Sequence, residues 1–540
     1  MGLKELYEKY NQPTYDEFKQ NVCDMLTVSS MAYTLWRNKF LPEKSERDEV
    51  IYPPKLKDEI YMRQAMYGGR TYPNKRHFKS AQYQNIMAAK ELAYVDSSGV
   101  EHYKIPANKL EETWKNLTDF LFDADVVSLY PFCMANFDYP VGHSFVTNNY
   151  VEGKIGIYKI RYKTNKSLLN PVLPRKDESG ALKWDLIDWE GWYSSVDIEL
   201  AKENGYEIEV LTGYYWKKSK KVFKSYIEYF YKNKQNAKKG TAMYTTAKLM
   251  LNSLYGKMLQ KQINVKRKVI TTPEEFAAIF NKHLVLEFRQ IKGNKTLVIY
   301  EEQQELKEHR VDKPTHLGVL ILSYSRKVMY DYYKKCGNNM KDLHYSHDTD
   351  SLVIHGRLLS NGSFKCGKNL GDISDDIGGS HAKEDGIGAK IIRAIFVQPK
   401  LYALHYLTRD GQIKFAFRGK GVSMYTNKNQ HYLKSMEMRK LVSNMQNSKD
   451  NQVKNPELQC WKDFEKMLRK EGVDYYKTMR LNKKFFGTVD KDNDTSFGHK
   501  HVEPEDTKRT LGKHAWEGRK FFNYDESVPW GHESITSCPV

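Results

Sequence analysis

The sequence has few cysteines and no arrangement of them that suggests a metal site or a disulfide framework. Six occur in 540 residues, at Cys23, Cys133, Cys336, Cys366, Cys460 and Cys538. No CxxC pair is present, which argues against a zinc module and against a disulfide-stapled secreted domain. We therefore expect a protein of a reducing compartment.

Long apolar segments are also lacking. The longest apolar stretch, around residues 318–322, is far too short to span a bilayer. The first ten residues, MGLKELYEKY, carry charges where a signal peptide needs an apolar core, and Leu6 occupies the position where a myristoylation signal needs Ser or Thr. There is no internal repeat. The expectation is a soluble intracellular protein without a signal peptide.

Positive charge, in contrast, is abundant. The formal net charge is +19, and 40% of the residues are apolar, enough for real hydrophobic cores. The length suggests three or four domains. A surplus of this size predicts a polyanionic partner, nucleic acid before membrane, although a merely basic, well-solvated surface explains the charge alone equally well.

The pattern along the chain predicts an α+β protein with helical attachments. The predicted elements are a mostly helical segment at 15–40, a strand at 119–131 that ends at Pro131, two helices in 193–257 separated near Gly240, short strands in 259–310, a helix at 315–335, a hairpin at 344–356 and helices beyond about 425.

The first cluster with chemical potential is FDADVVSLYP. Asp125 lies in a β-branched run, where an unpaired carboxylate is costly unless a cation meets it. Tyr130 faces away from Asp125 if the strand stays regular, and the turn before Pro131 can re-aim it. The alternative is an edge-strand Asp with a packing Tyr, which for this cluster alone is equally probable.

The second cluster is KLMLNSLYGK. At helical spacing Lys248, Asn252, Tyr255 and Gly256 share one face, while the leucines take other faces. An ammonium for phosphate, a ring for sugar or base, and a bare backbone for close approach suit a nucleotide. An amphipathic helix that ends at a Gly is the competing interpretation.

The third cluster is HYSHDTDSLVIHG. Asp348 and Asp350 flank Thr349 at a predicted tight turn, where two carboxylates repel each other unless they share a cation. An Asx-type turn that caps the hairpin is the alternative. His344 and His347, three apart on a strand, should face opposite ways, so we expect solvent or packing roles for both rather than a zinc site.

Together the clusters supply carboxylates from separate strands, Asp125 from one and Asp348 and Asp350 from another. A two-ion site needs this, with ions roughly 3.5–4 Å apart that clamp the attacking and leaving oxygens. Phosphoryl transfer otherwise requires mainly positioning and electrostatics, which Lys248 on a nearby helix can provide.

The three clusters, in this order, resemble motifs A, B and C of family B DNA polymerases, closest to the protein-primed branch of phages, adenoviruses and linear plasmids. MYGGR at residues 66–70 resembles the YxGG loop, THLGVLILSYSR the helix before motif C, PKLYAL the KxY motif and FRGKGV the base of the thumb. KKFFGTV near Lys483 and SVPWGHE near Ser527 resemble the thumb more weakly. The family implies a right-hand polymerase with palm, fingers and thumb.

The resemblance also implies roles for individual residues. Asp125 and Asp350 match the catalytic carboxylates, which bind two Mg²⁺ ions (Mn²⁺ as a substitute) with the carbonyl of Val126, and Asp348 supports the site. Tyr130 matches a steric gate against a 2′-hydroxyl, and Lys234, preferred over Lys232, joins the phosphate site. The implied nucleotide-binding residues are Ser128, Leu129, Tyr130, Lys234, Lys248, Asn252 and Tyr255. The implied DNA-binding residues are Tyr67, Gly68, Gly69, Arg70, Gly256, Arg326, Lys400, Tyr402 and Lys420.

The chain departs from the family pattern in three places. Met66 stands at the tyrosine of YxGG, and Ser346 stands where motif C normally has Tyr. The family begins with a proofreading exonuclease, for which we expect no room ahead of the palm here. Asp197 and Glu199 imitate an exonuclease DxE but follow motif A, so we expect them to be structural.

The resemblance divides the chain into seven segments. They are a helical segment at 1–60, first palm part at 61–136, an insertion at 137–190 for a priming protein, fingers at 191–258, an insertion at 259–310 for processivity, second palm part at 311–424, and thumb at 425–540. The implied partners are primer-template DNA, dNTPs, a terminal priming protein and a separate exonuclease chain, in a protein encoded by a virus, phage or linear plasmid.

Two other functions compete with DNA synthesis. One is an inactive polymerase remnant that only binds nucleic acid, and the other is a reverse transcriptase or RNA polymerase, which also uses paired Asp. The retained Asp125, Asp350, Lys248 and Tyr255 argue against the first. The KxxxNSLYG helix and Tyr130 favour family B and deoxynucleotides over the second.

Overall fold

The computed structural model describes most of the chain. The described residues are 15, 27–41, 49–96, 100–260, 265–291, 293–301, 313–337, 339, 344–420, 456–478, 506–512, 518–522 and 526–535. The thumb motif near Lys483 lies outside them.

Twelve α-helices occur in this part of the chain. They are α1 Val28–Leu35, α2 Leu56–Met62, α3 Tyr83–Ala89, α4 Ala107–Asn116, α5 Leu129–Asn136, α6 Ser195–Glu203, α7 Lys224–Asn236, α8 Ala242–Leu259, α9 Pro273–Phe280, α10 Thr315–Cys336, α11 Arg357–Ser360 and α12 Pro456–Leu468. A π-helical turn, Trp36–Phe40, continues α1, and a 3₁₀ turn, Arg63–Ala65, continues α2. The helix predicted at 315–335 is confirmed as α10, and none of the described helices is long and apolar enough to cross a membrane.

The described strands number twenty-four. They are β1 Thr71–Pro73, β2 His77–Lys79, β3 Glu91–Val95, β4 Glu101–Lys104, β5 Leu121–Val126, β6 Tyr139–Thr147, β7 Gly156–Lys163, β8 Arg175–Lys176, β9 Leu182–Lys183, β10 Trp189–Ser194, β11 Glu207–Lys220, β12 Val265–Ile270, β13 Leu284–Gln290, β14 Thr296–Glu301, β15 Ser346–Asp348, β16 Ser351–His355, β17 Ile373–Asp375, β18 Ala389–Gln398, β19 Leu401–Thr408, β20 Gln412–Gly419, β21 Val473–Thr478, β22 Asp506–Leu511, β23 Arg519–Phe521 and β24 Ser527–Pro529. With the helices they make a mixed α+β protein, as expected.

The largest sheet has eleven strands and positions the candidate site. Its main order is β1-β15-β16-β5-β18-β19-β20-β4-β3, with β17 also paired to β5 and β2 to β18. The side chains of β5 alternate: Phe122, Ala124 and Val126 enter the main hydrophobic core, and Asp123 and Asp125 therefore face the other side. The hairpin predicted at 344–356 is confirmed as β15 and β16.

The strand that carries Asp125 ends earlier than predicted. β5 stops at Val126, and Pro131 lies in the first turn of α5, where a missing N–H costs nothing. Between them Ser128 adopts a left-handed conformation (φ 53°) that reverses the chain. The prediction of a strand up to Pro131 is therefore wrong.

The sequence between motifs A and B forms a second sheet of four strands, in the order β10-β7-β11-β6. The expectation that 193–257 is all helical is wrong for β11, a fourteen-residue strand that pairs with both β6 and β7. The predicted break near Gly240 is confirmed, because α7 ends at Asn236 and α8 begins at Ala242. The predicted boundary at 190/191 falls inside β10.

Residues 265–301 form a small unit of their own. Strands β12, β14 and β13 make a three-stranded sheet, and α9 packs on one face around Ile270, Ile279, Val298 and Tyr300. The expectation of short strands alone missed α9.

Farther along the chain, α12 packs through Trp461 and Phe464 against the apolar side chains of β18 to β20.

Candidate active site

The two predicted catalytic carboxylates meet where β5 and β16 pair. Asp125 is directly opposite Ser351 in the antiparallel ladder, and the Val126 N–H donates to the Asp350 carbonyl at 2.9 Å. Thr349 takes a positive φ of 67° and turns the chain between β15 and β16. This turn places Asp350 beside Asp125 although 225 positions separate them in sequence.

The negative charges of these carboxylates repel one another. Burial, then Asp350 and Asp376, raises the pKa of Asp125 to about 7, and Lys248 acts against the rise. Burial likewise raises the pKa of Asp350, and Asp348 adds to the rise while Lys400 opposes it. Half-buried carboxylates that repel each other form a donor set suited to a shared divalent cation.

A metal at this place would need oxygens beyond those two side chains. In the described part of the chain, no group of three or more His, Cys, Asp or Glu is arranged to hold a metal ion. Mg²⁺ commonly uses one or two carboxylates together with waters and substrate phosphate oxygens. Asp125 and Asp350 fit an ion of that kind.

Asp348 is occupied by a different partner. The Lys400 ammonium donates to Asp348 Oδ1 at 2.6 Å, and both side chains are partly exposed. Lys400 has a positive φ of 58° at the turn between β18 and β19, a conformation that non-glycine residues rarely adopt. The structure therefore joins motif C to the KxY-like segment, whose Tyr402 is half-buried.

Tyr130 and Tyr255 stack on each other near Asp350. Their rings stack with centroids 4.2 Å apart and an interplanar angle of 22°. Burial raises the pKa of Tyr130 and of Tyr255, and Asp350 contributes to both shifts, so both phenols lie near that carboxylate. The turn at Ser128 brings Tyr130 here, while the neighbouring Leu129 packs into the core.

The face predicted for α8 is open. Lys248, Asn252 and Gly256 are exposed, and a Cβ added to Gly256 would meet nothing within 4 Å. Burial and then Lys248 lower the pKa of Lys234, which places the two ammonium groups near each other. This proximity favours Lys234 over the exposed Lys232 as the second phosphate contact.

Three of the predicted DNA-contacting side chains are not on the surface. Tyr67 is buried and stacks on Tyr193, Arg70 is 4% exposed, and Arg326 is 6% exposed. Arg326 makes a bidentate ion pair with Asp197 at 2.7–3.0 Å and donates to the carbonyl of Tyr67. These three side chains are therefore buried in the structure, and little of their surface is exposed for contact with DNA.

The remaining predicted DNA-binding positions are reachable. Gly68 is exposed with open space around it, whereas a Cβ on Gly69 would lie 3.1 Å from Thr349, a tight contact with the turn between β15 and β16. Lys420 is exposed at the end of β20.

Asp197 and Glu199 have structural partners, as expected. The Asp197 carboxylate is buried and accepts from Arg326 and from Ser323 at 2.7 Å. Glu199 accepts from the Tyr150 hydroxyl at 2.8 Å.

The expectation that the two histidines face opposite ways is wrong, whereas a packing role for both is confirmed, since both rings pack on Tyr333. His344 Nε2 and His347 Nδ1 lie 2.6 Å apart, and both rings are buried. β15 begins only at Ser346, so strand alternation does not apply to His344. Burial, with Arg70 and Arg519 nearby, holds the pKa of each histidine well below its usual range.

Sequence reasoning also missed two carboxylates beside the site. Asp123 is 6% exposed, and burial followed by Asp376 raises its pKa well above the usual range. Asp376 itself is exposed after β17. The DAD spacing of Asp123 and Asp125 on one strand was a usable signal, because residues two apart share a face; nothing in the sequence marked Asp376.

Comparisons with known proteins identify the class and then the family. The fold is that of right-hand DNA polymerases: a structure of Phi29 DNA polymerase matches with a TM-score of 0.51 and 19% identity over 77% of this chain and 63% of that one. Phi29 DNA polymerase complexed with primer-template DNA matches with a TM-score of 0.50 and 19% identity over 79% and 64%.

The family model for DNA polymerase type B, organellar and viral, matches residues 2–88 and 111–339. The chain therefore belongs to that family, and the predicted family B relationship is confirmed. A probable DNA polymerase of Neurospora intermedia is 30% identical over 368 residues, which are 66% of this chain and 33% of that protein. A DNA polymerase of Kluyveromyces lactis is 27% identical over 249 residues, 43% of this chain and 23% of that protein. The chain thus spans a third or less of these relatives.

Proposed function

We propose that the chain is a template-directed DNA polymerase that adds deoxynucleotides to a 3′ hydroxyl by two-metal nucleotidyl transfer. The observation that supports this most is the pairing of β5 with β16, which sets Asp125 beside Asp350. A lysine pair and a tyrosine pair border the same carboxylates. Family membership supports the same conclusion.

Two Mg²⁺ ions would be held by the carboxylates of Asp125 and Asp350 and the carbonyl of Val126, with Mn²⁺ able to substitute. When bound, these ions would stabilise the negative charge on the attacking and leaving oxygens. The raised pKa values of both carboxylates support this assignment, because burial and the neighbouring carboxylates raise them and a bound cation would oppose both effects.

Positioning of the nucleotide falls to the fingers and to the turn after β5. Lys248 and Lys234 would bind the triphosphate as point charges, with Asn252 on the same face of α8. The backbone of Ser128 and Leu129 would lie along the triphosphate. Tyr255 would contact the sugar of the nucleotide. Tyr130, whose ring stacks on that of Tyr255, would exclude a 2′-hydroxyl.

Primer and template would lie across the open side of the large sheet. Lys400, held by Asp348, and Tyr402 would contact the primer end, with Lys420 farther along the strand. Gly256 and Gly68 would let the duplex approach the backbone, because neither position has side-chain neighbours that a Cβ would meet. Tyr67, Gly69, Arg70 and Arg326 would shape this loop from within.

The resemblance to protein-primed polymerases implies partners beyond DNA and dNTPs. The segment at 137–190, which contains β6 and β7, resembles the insertion that contacts a terminal protein in protein-primed polymerases, and on that resemblance we propose priming by such a protein. We also propose a proofreading exonuclease as a partner and a gene that belongs to a virus, phage or linear plasmid.

Primer extension tests the proposal. The assay mixes the purified chain with Mg²⁺ and a labelled DNA primer annealed to a DNA or an RNA template, and supplies either dNTPs or rNTPs. We expect extension of the primer on the DNA template with dNTPs. Activity restricted to RNA template would favour a reverse transcriptase, and rNTP incorporation an RNA polymerase. DNA binding without any extension, with Mn²⁺ as well as Mg²⁺, would leave only the inactive remnant.

A further inference from the structure

A short segment, residues 366–372, lies against the end of β5 and holds its backbone. The Gly371 N–H donates to the Val127 carbonyl at 3.0 Å, and the Val127 N–H donates to the Asp372 carbonyl at 2.8 Å. Both backbone groups of Val127, the first residue after β5, are thus bonded to this segment. The position of the segment is therefore tied to that of the turn that begins at Ser128.

The segment is itself fixed by close packing at Gly371 and by a contact with α10. Gly371 has a positive φ of 83°, and a Cβ there would lie 2.5 Å from the ring of Phe132 on α5, so glycine is required at this position. The hydroxyl of Tyr332, on α10, donates to the Gly371 carbonyl at 2.7 Å, and the Tyr332 ring stacks on Phe364. Residues 366–372 therefore offer a fixed set of backbone carbonyls beside the end of β5.

A further carbonyl of this segment holds α7. The Tyr231 hydroxyl donates to the Lys368 carbonyl at 2.6 Å, although 137 positions separate the two residues. Tyr231 lies three positions before Lys234 on the helix, and Lys234 Nζ is 5.8 Å from the centroid of the Tyr231 ring. The Gln235 side chain bonds the same hydroxyl from within α7. The helix turn that carries Lys234 is thus linked to the segment bonded to Val127.

The last turn of α7 has little other support. The buried residues of this helix, all of which the structure describes, are Tyr226, Ile227 and Phe230. None of the side chains at 231–236 is buried, and among them the Tyr231 ring alone packs against the hydrophobic core. The ring and the hydroxyl of Tyr231 together therefore determine where this turn lies.

We propose that Tyr231 is a positioning residue for Lys234 and acts through its hydrogen bond to the Lys368 carbonyl. The bond sets the last turn of α7 relative to the backbone after β5. It thereby holds the Lys234 ammonium at a fixed distance from the turn at Ser128, and the triphosphate of the nucleotide would lie between them. This role rests on the proposed function, because it matters only where a nucleotide triphosphate binds.

Binding of a dNTP without chemistry measures this role directly. The full chain is mixed with Mg²⁺ and a primer-template whose primer ends in a dideoxynucleotide, and the correct dNTP is titrated into the complex. Tyr231→Phe keeps the ring and removes the hydroxyl, and should raise the dissociation constant of the dNTP about 2–10-fold. The affinity for primer-template and the Tm should change little. Tyr150→Phe, which removes a hydroxyl bonded to the exposed Glu199, is the matched control and should bind dNTP as the wild type does.

A double variant shows whether Tyr231 acts through Lys234. Lys234→Met removes the ammonium, so the addition of Tyr231→Phe should raise the dissociation constant no further. An equal rise with and without Lys234→Met would overturn the role.

The wild-type titration separates this role from the proposed function. If the wild type binds dNTP and Tyr231→Phe binds it equally well, the role of Tyr231 is refuted and the proposed function stands. If the wild type binds no dNTP, the proposed function fails and the role fails with it.

Discussion

The rings of Tyr130 and Tyr255 stack with centroids 4.2 Å apart, one on α5 and the other on α8. The stack fixes the Tyr130 ring next to the carboxylates, where the sugar of an incoming nucleotide would lie. Tyr130→Val should therefore lower the preference for dNTPs over rNTPs by at least about tenfold. Single-nucleotide incorporation kinetics measure this ratio. Tyr130→Phe keeps the ring and should keep the preference, and unchanged selectivity in Tyr130→Val would place the gate elsewhere.

The ion pair between Asp348 and Lys400 should affect use of the primer more than use of the nucleotide. Asp348→Asn removes the charge that holds the ammonium at the turn, and the pair is partly exposed, so the effect is modest. We expect KM for primer-template to rise roughly fivefold while KM for dNTP stays the same. Combining Asp348→Asn with Lys400→Met should cost little more than Lys400→Met alone. A change in the dNTP KM alone would contradict this role.

The Arg326–Asp197 pair should stabilise the protein without touching DNA. Asp197→Ala leaves a buried guanidinium without its partner, which typically costs about 3–5 kcal/mol of unfolding free energy. Chemical denaturation measures the loss. Asp331→Ala, which breaks an exposed pair with Lys327, should cost less than about 1 kcal/mol. Comparable losses in the two variants would mean that the buried pair is not structural.

Glu457 should make the packing of α12 sensitive to pH. Burial, with Asp96 adding to it and His102 opposing it, raises the pKa of Glu457 to about 7. Since the folded pKa exceeds the unfolded value, the contribution to stability is complete below about pH 4.5 and is lost as the pH rises through about 7. Glu457→Gln should be more stable than wild type at pH 8 by about 1–3 kcal/mol and indistinguishable at pH 4.5. Parallel pH profiles of the two proteins would contradict the assignment.

The sequence was most informative where a local pattern decides the structure. The apolar stripe of 315–335 specified α10, and the alternation after Ser351 specified the hairpin. The order of the motifs was enough to predict that Asp125 and Asp350 lie close together, because one is on β5 and the other directly precedes β16, the strand that pairs with β5. The family relationship followed from the same residues.

What escaped the sequence depends on contacts between distant residues. The local pattern of β11 predicts a helix. Its strand conformation depends on pairing with β6 and β7, which the local pattern does not show. Arg326 was placed on DNA, but its burial follows from Asp197, 129 positions away. Neither the approach of Asp376 to Asp125 nor that of His344 to His347 had a sequence pattern from which it could be derived.

The most direct test of the account is single-turnover primer extension by Asp125→Asn and Asp350→Asn. Each change keeps the size of the side chain and removes a charge needed to hold Mg²⁺, so the rate should fall by roughly 1,000-fold or more while primer-template affinity stays near wild type. Asp331→Asn, at a partly exposed carboxylate paired with Lys327, is the matched control and should extend normally. Substantial extension by either active-site variant would contradict the assignment of these two residues as the catalytic pair.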